Sequence, residues 1–169
     1  MHEIETEDRY EATFNAESAF IPVVLRHVAS FARRFESRRI DELLIVVREL
    51  ASNAVIHGSK SDGTKMVRLS VSFQGDRFAV DVDDEGEGFD YGSLDLRLPD
   101  DPFSLSRRGL IIVHELAEEL VFLGRGNRAR AIVHSDEAPD RGERDYGVAA
   151  VAAGQKYQEE SCISQMARN

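Results

Sequence analysis

The run MVRLSVSFQGDRFAVDVD, residues 66–83, leaves the chain few choices. Apolar and polar residues alternate on both sides of a Gln-Gly-Asp turn, the period of strands with one buried face. A connection that short joins antiparallel neighbours, so the segment reads as a β-hairpin. A sheet with one apolar face needs a second layer over it. The residues upstream can supply that layer. In SAFIPVVLRHVASFARRF, residues Ile21, Val24, Leu25, Val28, Phe31, Ala32 and Phe35 recur at helical spacing, with Ser18 as the expected cap and Pro22 in the first turn. A second helix is expected from about Asp41, with Leu43, Leu44, Val47, Leu50, Ala51 and Ala54 inward, stopping at Gly58.

Other elements fit the same plan. RYEATFNA alternates as a half-buried strand carrying Tyr10, Ala12, Phe14 and Ala16 on one side. Residues 91–108 show no period and contain two prolines, so they read as a long loop of the kind that serves as a lid. A third helix is expected from about Gly109, with Leu110, Val113, Leu116, Ala117 and Leu120 inward. LVFL, the turn GRGN and ARAIVH form a closing hairpin. The expectation is α+β: a two-layer sandwich, a mostly antiparallel mixed sheet with helices on one face. The domain is expected over residues 8–136. Residues 137–169 shift to linker composition and form a tail whose role the sequence leaves open.

Composition narrows the partners. The formal net charge of −10 over 169 residues argues against a broad nucleic-acid-binding face. The single cysteine, Cys162, cannot form an internal disulfide and fits a reducing compartment. No apolar run is long enough to span a bilayer, and no signal peptide is recognised. The expectation is a cytoplasmic protein with no membrane or direct nucleic-acid contact.

Three short stretches carry the chemistry. DDEGEGFD crowds acids around Gly86 and Gly88. A calcium loop begun at Asp81 would need its bidentate glutamate at Gly92, which has no ligand atom. The alternative is a strand ending in Asp84, whose carboxylate can accept from an exocyclic amine such as adenine N6, followed by glycines that let main chain approach a ligand. In ELASNAVIHG, residues Glu49, Asn53 and His57 fall at i, i+4 and i+8 of one helical stripe. A carboxylate there suits a general base and an amide oxygen suits Mg²⁺. In SRRGLIIVHEL, Arg107 and Arg108 precede Gly109 at a helix start, where free amides and arginines favour phosphate.

In this order, ELASNAVIHG, DDEGEGFD and RRGLIIVHELAEEL resemble the three ATP-binding boxes of the Bergerat-fold ATPases, the superfamily of gyrase B, MutL and histidine kinases. RELASNAVIHG is most similar to the anti-sigma-factor serine kinases of the RsbW type. The resemblance implies ATP and Mg²⁺ as cofactors. It makes Glu49 the base, Asn53 the Mg²⁺ ligand and Asp84 the adenine acceptor. Gly86 and Gly88 would shape the pocket, with His57 beside it. Gly109 and Leu110 would offer amides to phosphate, while Arg107 and Arg108 would stabilise the transferring charge. At Arg107 the chain departs from the third box, which carries glycine two positions before Gly109. The implied partners are a sigma factor, a STAS-domain anti-anti-sigma factor and a second copy in a homodimer. A nucleotide-binding module that transfers no phosphate, and a detached histidine-kinase catalytic domain, remain alternatives.

Overall fold

In the computed structural model, which describes residues 1–94, 96 and 108–136, the alternating segments pair into one sheet. Its strands are β1 (His2–Glu5), β2 (Arg9–Asn15), β3 (Met66–Gln74), β4 (Arg77–Asp84), β5 (Glu119–Leu123) and β6 (Arg128–His134). The order across the sheet is β1-β2-β3-β4-β6-β5, and each pairing is antiparallel. The expected mixed sheet is therefore wholly antiparallel among the described residues. The expected 66–83 hairpin is β3–β4, in register from Val67 opposite Asp84 to Gln74 opposite Arg77.

Period-two alternation sends Tyr10, Ala12 and Phe14 of β2, Val67, Leu69 and Val71 of β3, and Phe78, Val80 and Val82 of β4 into one buried face. The helices α1 (Ile21–Ala32), α2 (Ile40–Ser52) and α3 (Arg108–Leu116) cover that face. The middle helix, α2, contributes Leu43, Val46, Val47, Leu50 and Ala51, all buried. Each large side chain so removed from water contributes about 1.5–3 kcal/mol before the ordering entropy is counted. The opposite face is polar. There Arg130 grips Asp81 with Nε and Nη2 at 2.7 and 3.1 Å, and Arg128 pairs with Asp83 at 3.4 Å.

Two local expectations are corrected. Ser18 does not cap α1. It opens a 3₁₀ turn, Ser18–Phe20, that runs into the helix without a side-chain cap. Leu120 is not on α3, which ends at Leu116; it lies in β5 and still points into the core. The arginine pairs at 33–34 and 38–39 include braces. Arg34 donates to the carbonyls of Thr6 and Glu7 at 3.0 and 3.2 Å, and Arg39 donates to that of Leu116 at 3.1 Å. Strand β1 is an addition, because HEIE carries only one strongly apolar residue. The side chain of Glu3 fastens it, accepting from the buried Tyr10 hydroxyl and pairing with His27 of α1. No described helix is long and apolar enough to cross a membrane.

Candidate nucleotide site

Asp84 is the last residue of β4 and follows Phe78, Val80 and Val82 on the buried face. The alternation that fills the core thus delivers a carboxylate to its margin, only 9 % exposed. Its Oδ1 accepts the Gly86 amide at 2.7 Å. Two glycines make room for it. A Cβ on Gly58 would stand 2.5 Å from Asp84 Cγ, and one on Gly86 would run into the Gly58 carbonyl. The helical run stops at Gly58, as expected, and the glycine there also makes room for Asp84. The left-handed residues beyond the winding are Lys60 and Ser61. Burial pushes the Asp84 carboxyl above its ordinary value of 3.8. The Gly86 amide, Lys65 and Arg125 oppose that rise, and Asp83 adds to it.

Helix α2 changes pitch where it meets this carboxylate. Residues Asn53–Gly58 form a π-helical turn, with the Ser59 amide donating to the Ala54 carbonyl at 2.8 Å. Such turns are concentrated at functional sites. Asn53 and His57 both line a cavity of about 440 Å³ between this turn and β4. The Asn53 Nδ2 is buried without a hydrogen-bond partner. Turning that amide end for end exchanges its oxygen and nitrogen at little cost in shape. Either way, a polar group is left for a ligand to satisfy.

Glu49 shares the helical stripe of Asn53 but turns its carboxylate elsewhere. It does not line the cavity. Its Oε1 accepts Arg48 Nε and Nη2 at 3.0 and 2.7 Å, while Oε2 faces Gly109, where a Cβ would stand 2.5 Å away. The carboxylate thus meets the beginning of α3. Arg108 opens that helix and is exposed, and Leu110 lines the cavity. Arg107 lies outside the described residues, as do positions 97–106 of the expected lid and the tail from 137.

The cavity walls are apolar at Ala54, Val82, Leu94, Leu110, Phe122 and Ala129, with polar groups at Asn53, His57, Asp84, Asn127 and Arg128. A pocket of that size, mostly apolar with a few convergent polar groups, suits a planar base joined to a charged tail. Gly88 lines it and Gly86 does not; Gly86 backs Asp84 instead. The acids of DDEGEGFD diverge. Asp83 pairs with Arg128, Glu85 accepts the Met66 amide, Glu87 pairs with Lys60 and Asp90 caps Gly92. Among the described residues, no three or more His, Cys, Asp or Glu are grouped to hold a metal.

The GRGN turn is more than the plain hairpin connection expected. The Asp84 amide donates to the Asn127 carbonyl at 3.0 Å, and Asn127 Nδ2 donates back to the Asp84 carbonyl at 2.8 Å. Phe89 and Phe122 also reach the cavity, their rings edge to face at 5.1 Å. Sequence reasoning misses Asn127 and Phe122, because only the pairing of β4, β6 and β5 brings them to the end of β4.

The donor set fits Mg²⁺ arriving with a nucleotide, since that ion keeps waters and substrate phosphates and needs one or two protein oxygens. Asn53 offers an amide without a protein partner at the cavity wall. No curated protein matches the chain. The family model of the histidine kinase-like ATPase domain matches residues 14–133, which takes in β3, β4 and β5, nearly all of β6, the helices α1, α2 and α3 and every residue of this cavity. The chain belongs to the histidine kinase-like ATPase domain family.

Proposed function

We propose that the protein binds ATP with Mg²⁺ in this cavity and is an anti-sigma-factor serine kinase. The observation that carries the reading is convergence. Asp84 and Asn53 share one cavity, and Glu49 from the same helix as Asn53 reaches the start of α3 at its rim. In this reading Asp84 accepts from the adenine amine, and the apolar walls hold the base. The amides of Gly109 and Leu110, with Arg108, receive the phosphates. Mg²⁺, held by Asn53, would neutralise phosphate charge during transfer. Glu49 takes the proton from a serine hydroxyl of the partner as the serine oxygen bonds to the γ-phosphorus. The bond from that phosphorus to the β,γ-bridging oxygen breaks, and ADP leaves. Orientation and fixed charge supply most of the acceleration.

The serine substrate and the sigma factor rest on the likeness of RELASNAVIHG to RsbW-type kinases. The test is radiolabelled ATP with purified STAS-domain proteins. Transfer to serine by the wild type, lost in Glu49→Ala with nucleotide affinity kept, supports the reading. Transfer that survives Glu49→Ala refutes Glu49 as base. Release of a sigma factor on exchange of ATP for ADP, read by pull-down, tests the anti-sigma role.

One observation favours a second reading, a nucleotide-binding module without transfer. Arg48 occupies one oxygen of Glu49, and Glu49 stands off the cavity lining. That module would bind nucleotide normally and label none of the STAS proteins.

A further inference from the structure

We infer that Arg125 is a positioning residue for adenine recognition: from the β5–β6 turn it ties down the Gly86–Phe89 segment, and so sets the affinity of the site for adenine nucleotides. The inference rests on the reading of Asp84 given above.

The turn itself is made by glycines. Gly124 and Gly126 have φ of +64° and +89°, a region that favours glycine. Nothing in that conformation asks for arginine between them. The Arg125 side chain instead crosses to the segment that follows Asp84. Its Nη2 donates to the Gly86 carbonyl at 2.8 Å, and its own carbonyl accepts the Phe89 amide at 3.0 Å. A Cβ on Gly88 would strike the Arg125 carbonyl. One residue therefore fixes Gly86, Gly88 and Phe89 together, and Gly86 is the donor that holds the Asp84 carboxylate.

Arg125 also has an electrostatic position. It lines a polar hollow of about 230 Å³ that shares Asp84 and Asn127 with the larger cavity. Asp84 is therefore part of the wall between the two. The charged groups bearing on it are Asp83 from its own strand, Lys65 from the segment before β3, and Arg125 from the turn. His57 lines the cavity from the π-helical turn. Arg125 and Lys65 favour the ionised carboxylate, while burial and Asp83 oppose it. An adenine amine needs the ionised form, so the same arginine that shapes the loop supports the charge it presents.

The experiment is calorimetric titration with Mg-ADP, from neutral pH down into the carboxylate range, on wild type, Arg125→Met, Arg125→Lys and Asp84→Asn. Loss of one hydrogen bond from a charged donor predicts about tenfold weaker binding for Arg125→Met at neutral pH. Its acid limb, where affinity falls as Asp84 protonates, should move to higher pH. Arg125→Lys should keep the wild-type limb with intermediate affinity. A merely structural brace would weaken binding without moving the limb. Should thermal melts show Arg125→Met unfolded, Arg125→Gln takes its place. Wild-type affinity and limb in the neutral variant, with binding lost in Asp84→Asn, overturn the inference. Wild-type binding in Asp84→Asn overturns the reading of the site itself.

Discussion

Gly58→Ala adds one methyl group at the point where the helix touches the Asp84 carboxylate. The backbone tolerates it, since Gly58 is not among the left-handed residues. The side chain does not fit, because the new Cβ would stand 2.5 Å from Asp84 Cγ and Oδ1. Asp84 must swing aside and give up the Gly86 amide, or the π-helical turn must lift. Overpacking of this kind costs roughly 1–3 kcal/mol. At about 2–4 °C per kcal/mol for a chain of this size, the melting temperature should fall by roughly 2–12 °C. Binding should suffer separately. A carboxylate displaced from its place forfeits a charge-assisted bond worth about 1.5–3 kcal/mol, or about ten- to a hundredfold in Kd for Mg-ADP. Gly75→Ala is the matched control. Its φ of +65° imposes backbone strain of about 1–2 kcal/mol on alanine, yet beyond its two chain neighbours nothing lies within 4 Å of the added carbon. Melting and calorimetry on both variants separate the two effects. If Gly58→Ala binds Mg-ADP as tightly as Gly75→Ala at equal loss of stability, the contact between Gly58 and Asp84 has nothing to do with recognition.

Asp84→Asn should lose nucleotide affinity yet melt no lower than wild type at neutral pH. Burial raises the folded-state pKa of this carboxyl, so the folded form binds the proton more tightly than the unfolded chain does. Its contribution is fully present below the unfolded value of 3.8 and is lost as pH rises through the raised one. The advantage of Asp84→Asn in thermal melts should accordingly shrink as pH falls through that window; an advantage that grows on acidification would contradict the assignment. Asn53→Ala should bind ADP in excess chelator about as wild type does, but lose the gain in affinity that Mg²⁺ gives the wild type. An undiminished Mg²⁺ effect in that variant would remove Asn53 from metal binding.

The fold was legible where burial and period agree. The β3–β4 hairpin and the inward stripe of α2 follow from local alternation, and the same alternation carried on to Asp84 identifies it as the residue at the core margin. Cavity membership was legible for Asn53 and His57 from helical spacing and for Gly88 from the paired glycines after the strand, whereas Leu110 entered the site only through the resemblance of its motif. The stop at Gly58 was legible, but the contact that demands a glycine there was not, because it comes from another element. The π-helical winding of residues 53–58 has no local signature either; its residues suit an α-helix equally well, and tertiary contacts choose the pitch. Glu49 illustrates the limit of helical spacing. A shared stripe with Asn53 aligns the Cβ atoms, but Arg48 and Gly109 decide where the carboxylate rests. Arg125 and Asn127 were invisible as site residues, because a Gly-rich turn explains itself locally and strand register alone carries it to the loop.

Gly88 and Gly126, both left-handed, abut the carbonyls of Arg125 and Phe89. At that end of the pocket, peptide planes rather than rotatable groups form the mould. Side-chain substitution elsewhere can tune such a mould but cannot enlarge it, since no rotamer exists to give way. Enlarging that end of the pocket would require two chain segments to shift in concert.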